Sequence, residues 1–350
     1  MEQMIWGLIL VTLAGLGTGT GAWPFKVTKD LRLEQMLLIY IFLGLIVIPW
    51  SIVFFCLDDV SLIIKSTGLK TLAVSALFSV GWGIANVLYF ICVIKIGAAL
   101  TGALLSGLGM SVGMLLPLIL KGSGIFQKAP DLMSAAGLTI LSALIVLILG
   151  VILTTAAGVG REKQLGSQDE QKKKAQASGN FVEGFILVCI AGVLSAGLSL
   201  CFVYSQDIED AAKAQGVGGL EATCITWAFA VFGGAIVNIL FAMFMLTKKK
   251  TWKTFFARKD ETIFGIAMGF QFIISLLCMG QGMIYLGSLG ASIGFGIQQA
   301  TQLMGNQLVG FVSGEWKGVR GKPRSLMYLA LIVICLAVII LSINKFLNPE

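Results

Sequence analysis

Five amides crowd one otherwise apolar stretch of this chain: Gln298, Gln299, Gln302, Asn306 and Gln307. On a helix, the i, i+4, i+8 spacing of Gln298, Gln302 and Asn306 puts three of them on one face. Amides in lipid need partners. Either they form an interhelical hydrogen-bond ladder, worth roughly 1 kcal/mol per contact, or they line a polar cavity, where adjustable donors and acceptors suit a neutral polyhydroxylated solute. A second face is drawn by Trp82, Asn86 and Tyr89 at i, i+4 and i+7. It combines ring surface with hydrogen-bonding groups, as sugar binding requires, and core packing is its alternative because buried Trp and Tyr also need polar partners. Trp227, Asn238, Gln271 and Gln281 are weaker candidates of the same kind.

Proton chemistry has few residues to use. The chain has no histidine, so a proton relay must run on carboxylates, and the apolar stretches hold almost none away from their ends. Glu34, in Leu31-Arg32-Leu33-Glu34-Gln35-Met36, is the candidate for proton coupling, with a plain interfacial charge as its alternative. Asp58, Asp59 and Glu315 read as loop charges, and Lys95 as a helix cap or a side chain snorkelling to the interface. Seven scattered cysteines show neither metal-ligand spacing nor a disulfide framework, so no metal and no cofactor is expected. The run Gly15-x-Gly17-x-Gly19-x-Gly21 follows no strand and is read as helix packing rather than a dinucleotide loop, with Gly17 and Gly21, Gly109 and Gly113, and Gly290 and Gly294 at small-xxx-small spacing.

The elements that hold these residues follow from composition. Of 350 residues, 57% are hydrophobic and 12% charged, and the mean hydropathy is +0.92, which is more apolar surface than one soluble core can bury. The sequence therefore predicts an all-α integral membrane protein with ten transmembrane helices, at about 4–22, 36–56, 72–94, 97–119, 133–156, 182–204, 222–246, 263–285, 288–312 and 325–347. The first is read as an uncleaved span, since no basic segment precedes it. Tight hairpins fall at Lys95-Ile96 and at Leu286-Gly287. Residues 1–157 form a first five-helix repeat, 158–180 a charged cytoplasmic linker, and 181–350 a second repeat.

Gly7-Leu8-Ile9-Leu10-Val11 echoes Gly184-Phe185-Ile186-Leu187-Val188, and Ile96-Gly97-Ala98-Ala99 echoes Leu289-Gly290-Ala291-Ser292. With five spans each, the halves must insert with inverted topology, an architecture used by many secondary transporters. Nineteen of the 25 Lys and Arg fall in the loops of one side, from Lys26, Lys29 and Arg32 to Lys322 and Arg324; Lys65, Lys70, Lys121, Lys128, Lys213 and Lys345 fall on the other. The richer side is assigned to the cytoplasm and both termini to the opposite side. The net charge of +7 is thus a topology signal, and no nucleic-acid partner is expected.

Trp23-Pro24-Phe25-Lys26, Leu33-Glu34-Gln35-Met36, Ile48-Pro49-Trp50, Gly81-Trp82-Gly83-Ile84-Ala85-Asn86, the segment Gly192 to Gly197, and Gly314-Glu315-Trp316-Lys317 followed by Lys322-Pro323 occur in that order along the chain. As a set they resemble the L-rhamnose–proton symporter family of the drug/metabolite transporter superfamily. The resemblance implies a ten-helix carrier of five-helix inverted repeats in a bacterial inner membrane, taking up a deoxy sugar with protons by alternating access. Its partners are then a small sugar, protons and membrane lipid, as monomer or homodimer. Two rivals stay open: a metabolite exporter or exchanger of the same superfamily, and a receptor or assembly subunit that transports nothing. An enzyme is disfavoured, because the chain offers no histidine, metal cluster or paired intramembrane carboxylates.

Overall fold

Backbone amides have no water to bond in a bilayer, so apolar runs close their hydrogen bonds internally as helices. The computed structural model describes residues 2–21, 23–96, 98–165, 181–257 and 259–347, and every long element among them is helical. In chain order these are α1 (Glu2–Thr20), α2 (Leu33–Cys56), α3 (Leu69–Ile96), α4 (Ala98–Leu120), α5 (Ala135–Gln164), α6 (Phe181–Ser195), α7 (Gly197–Val203), α8 (Gln206–Ala214), α9 (Gly219–Ala230), α10 (Phe232–Lys249), α11 (Lys259–Tyr285), α12 (Phe295–Val312) and α13 (Lys322–Leu347). Leu77, Ile145, Phe244 and Ile332 are among many large apolar side chains left exposed on their outer faces, the surface lipid covers.

Nine helical stretches of the described residues are long and apolar enough to cross a membrane. The ninth predicted span is outside that set. It corresponds to α12, whose five amides dilute its apolar character. Residues 158–164, expected in the linker, instead continue α5, and the rest of that linker from 166 onward lies outside the described residues. Within α2, a π-helical turn at Phe42–Val47 precedes Pro49; a proline interrupts the helical bonding ladder, and wider turns accommodate such interruptions. Span hydroxyls are satisfied locally: Thr12 donates to the Leu8 carbonyl and Thr20 to that of Leu16.

The helices pair in a regular scheme. α1 packs against α11 and α12, while α6 packs against α3 and α4; α2 meets α9 and α10, and α5 meets α13. Replacing each predicted span by the one five further along turns the first set of partnerships into the second and maps the last two onto themselves. Glycines permit the closest approaches. A Cβ on Gly15 or Gly19 would overlap the carbonyl oxygens of Gln298 or Gln302 on α12. The working small-residue pair of α1 is therefore Gly15 and Gly19, because Gly21 faces only its own turn. Gly109 and Gly113 meet Ser195 and Phe295, and Gly290 and Gly294 meet Met283.

Candidate functional site

Among the cavities between these helices, two gather candidate residues. The larger of the two, about 320 Å³, is the more polar and is walled by α3, α4, α5, α12, α13 and the turn before α13; Tyr89, Ser106, Thr154, Thr155, Asn306 and Gln307 line it, together with Arg161, Glu315 and Trp316. The smaller, about 210 Å³, is mostly apolar, with Leu37, Tyr40, Phe90, Phe272, Thr18 and Gln271 in its wall. Neighbours Tyr89 and Phe90 on α3 thus serve different cavities.

Of the residues singled out from sequence, Tyr89, Asn306, Gln307 and Glu315 come together in the more polar cavity. Gln298 and Gln302 form a ladder instead: Gln298 Nε2 donates to Thr18 Oγ1 at 3.0 Å and to Gln302 Oε1 at 3.2 Å. The amide face is thus divided, with the ladder in its first turns and Asn306 and Gln307 lining the cavity in its last. Trp82 is buried, stacked on Phe272 at 6.4 Å between ring centroids, and lies over Gly234. It shapes the smaller cavity through Phe272. Asn86 and Gln299 are half-buried and outside the lining of both cavities.

Gln271, a minor candidate by sequence, is fully engaged at the smaller cavity. Its Nε2 donates to the Gly17 carbonyl at 2.8 Å and to Thr20 Oγ1 at 2.9 Å, while its Oε1 accepts from Trp23 Nε1 at 2.9 Å. No local pattern marks it, since one Gln in an apolar helix looks the same whether it packs or binds. Trp227 is buried against Phe202 at 4.5 Å, and Asn238 Nδ2 bonds its own helix at the Gly234 carbonyl. Gln281 accepts from Thr223 at 3.1 Å.

The carboxylates of the Lys/Arg-rich loops are tied across the molecule. Glu34, buried at 3% exposure, has Oε2 at 3.0 Å from Lys249 Nζ and Oε1 at 3.5 Å from Thr251 Oγ1. Its neighbour Gln35 donates to the Thr251 carbonyl at 3.1 Å. Glu261 accepts the backbone N–H groups of Lys29, Asp30 and Leu31 at 3.1, 3.1 and 2.8 Å. Glu315 is more than a loop charge: it pairs with Lys26 and with Arg161 Nη1 at 2.7 Å, and Arg161 lies 5.4 Å over the Trp316 ring. Desolvation pushes the Glu315 carboxyl up, but Lys26 and Arg161 outweigh it and hold the group below the ordinary carboxylate range. Lys95 reaches Glu183 at 2.7 Å, consistent with an interfacial cap.

A bundle of lipid-facing helices with polar and apolar cavities between its spans has the form of a multi-pass membrane transporter. The profile of the family described as L-rhamnose-proton symport protein (RhaT) matches residues 1–345, and the chain belongs to that family, one of transporters rather than enzymes. It is 26% identical over 330 residues to an L-rhamnose-proton symporter of Pectobacterium atrosepticum, covering 92% of each chain. Proteins of the same description from Klebsiella pneumoniae and Citrobacter koseri are 25% identical over 328 residues, covering 92% of each, and 27% over 323, covering 90% of each.

Proposed function

We propose that this protein is a secondary active carrier that takes up a monosaccharide, L-rhamnose or a related sugar, together with protons by alternating access. The observation that carries this reading is the polar cavity of about 320 Å³, near the lower bound for small-ligand sites. Its walls come from both halves: α3, α4 and α5 from residues 1–157, and α12 and α13 from 181–350. Tyr89, Ser106, Thr154, Thr155, Asn306 and Gln307 offer hydroxyl and amide groups to sugar hydroxyls, and Trp316 offers a ring face. Trp82, Asn86, Gln298, Gln299 and Gln302 then act around the cavity as packing and positioning groups.

The two halves are taken as inverted five-helix repeats joined by 158–180, a reading supported by packing partnerships that exchange under a five-span shift. Alternating access follows if the halves rock about the cavity. Glu34 is the coupling carboxylate of this scheme: it stands in the first half and its partners Lys249 and Thr251 in the second, so protonation weakens a link between the halves. The carrier sits in a bacterial inner membrane with both termini outside the cytoplasm, in keeping with its lysine and arginine distribution.

Purified protein in liposomes, given radiolabelled L-rhamnose and an inward proton gradient, is expected to accumulate the sugar. Asn306→Ala and Tyr89→Phe should raise the half-saturating concentration by about tenfold each, one lost sugar hydrogen bond being worth about 1.4 kcal/mol. Sugar entry that ignores the gradient rejects coupling, and outward-only movement favours the exporter.

A further inference from the structure

On the face opposite the Lys/Arg-rich loops, a small apolar core separate from the main one joins Ile208 and Ala212 of α8 to Ile63, Ile225 and Ala228. Into this layer α8 brings a carboxylate. Glu209 is 1% exposed. Its Oε1 lies 2.7 Å from Lys213 Nζ one turn on, a cation with 43% of its side chain exposed. Beyond that ion pair, neither carboxylate oxygen has a well-formed hydrogen bond among the described residues. The adjacent Thr223 hydroxyl has one proton and three acceptors in reach: Glu209 itself, and the Gly219 carbonyl and Gln281 Oε1, both at 3.1 Å.

The elements packed on α8 are α9, the turn at Val60–Thr67 and the turn at Gly124–Lys128. Their charged groups Glu221, Lys65 and Lys128 are exposed, as is Asp210 beside Glu209 on α8 itself, and Asp207 accepts from Thr71 at 3.1 Å. Lys213 is therefore the cation that serves Glu209. Ionised, Glu209 keeps a charge in a layer closed to water, served by one partly exposed cation and a hydroxyl it shares with two other acceptors; protonated, it carries its own donor.

We propose that Glu209 is a second proton-binding group of this carrier, loaded from the face opposite the Lys/Arg-rich loops as α8 closes over α9 and the turn at Val60–Thr67. This rests on the transport reading above. A proton passes from water on that face to the Glu209 carboxylate, with no other bond made or broken. Closure and proton uptake are then linked, so acid on that side favours the state closed to that side. That is the sign a symporter needs.

The test uses the full chain in liposomes with radiolabelled L-rhamnose. For one proton per sugar, a gradient of one pH unit supports about tenfold accumulation. Glu209→Gln is expected to reduce accumulation to the external concentration while preserving exchange of labelled for unlabelled sugar at equal pH. Accumulation at the native level, or loss of exchange along with it, overturns the proposal. If Glu209→Gln does not assemble, Lys213→Gln decides: losing the cation moves the pH midpoint of uptake upward by about one unit, and an unmoved midpoint overturns the assignment. If the native protein moves no L-rhamnose, the transport reading fails separately. Glu209 is then judged by maleimide labelling of Ala212→Cys relative to Lys128→Cys. Greater protection in acid, abolished by Glu209→Gln, supports the proposal, and protection unchanged by Glu209→Gln overturns it.

Discussion

Glu34 and Glu209 are both almost fully buried carboxylates beside a partly exposed lysine, yet they stand in opposite settings. Around Glu34 the loops of the Lys/Arg-rich face are bound by groups that match: a lysine and a hydroxyl for Glu34, three backbone N–H groups for Glu261, a lysine and an arginine for Glu315. Around Glu209 the layer is aliphatic apart from Lys213 and the Thr223 hydroxyl, and neither oxygen has a well-formed hydrogen bond among the described residues. The first setting gains by keeping its carboxylates charged, whereas the second gains by neutralising one. For a protein that moves protons across a membrane, that asymmetry gives the two faces different responses to the same ion.

The contrast is broken most directly at Glu261. Glu261→Ala removes the acceptor of three N–H groups, and with unmet donors costing about 1–3 kcal/mol each when buried, a loss of roughly 3 kcal/mol is expected for this partly buried set, read as a lower melting temperature in detergent. A melting point equal to the native one would mean that water replaces the carboxylate freely and that the face is not clasped. Next in size is Lys249→Gln. It leaves Glu34 charged and buried, which costs about 2 kcal/mol after allowing for the exposure of Lys249. The double variant Glu34→Gln with Lys249→Gln should recover much of that loss, and additive losses in the cycle would show that the pair is not coupled.

Much of this arrangement was legible in the sequence, and the remainder was not for identifiable reasons. Hydropathy locates most of the helices to within several residues, because lipid leaves apolar segments little alternative to a helix; the expected span 222–246 instead divides between α9 and α10, which break at Val231. The span it expects at α12 is a helix, but one outside the nine stretches long and apolar enough to cross a membrane, because five amides interrupt its apolar run. Faces are local and were readable: Gln298 and Gln302 do meet. Partnerships between distant segments were not. Glu315 looked like a loop charge because Lys26 and Arg161 are 289 and 154 residues away in sequence. Glu209 passed unnoticed because Gln206–Ala214 is a polar stretch between two spans, and only packing of α9 and Val60–Thr67 upon it buries the carboxylate.

Replacing rather than breaking the charge sharpens the comparison with a smaller effect of opposite sign. Glu209→Met removes a buried carboxylate whose one ion-pair partner is partly exposed and leaves Lys213 free to turn into solvent. A buried ion exchanged for an apolar side chain of similar volume is neutral or stabilising, so stability is expected to rise by about 1 kcal/mol at neutral pH. A fall of that size would mean that the Lys213 contact outweighs the cost of burial, and Glu209 would then resemble Glu34 after all.

The smallest effect concerns acid. The Glu315 carboxyl is held below its ordinary range by Lys26 and Arg161, so its pairing contributes fully above the unfolded value near pH 4.3 and is lost as pH falls through the depressed folded value. With the side chain about a third exposed, solvent screening keeps the contribution below about 1 kcal/mol. Stability measured from neutral to acid pH should therefore decline less steeply in Arg161→Gln than in the native protein, because the variant starts without part of the stabilisation that acid removes. High salt should narrow the difference between them. An identical acid slope in both would show that Arg161 serves the polar cavity and its Trp316 contact, and that Lys26 alone sets the charge state of Glu315.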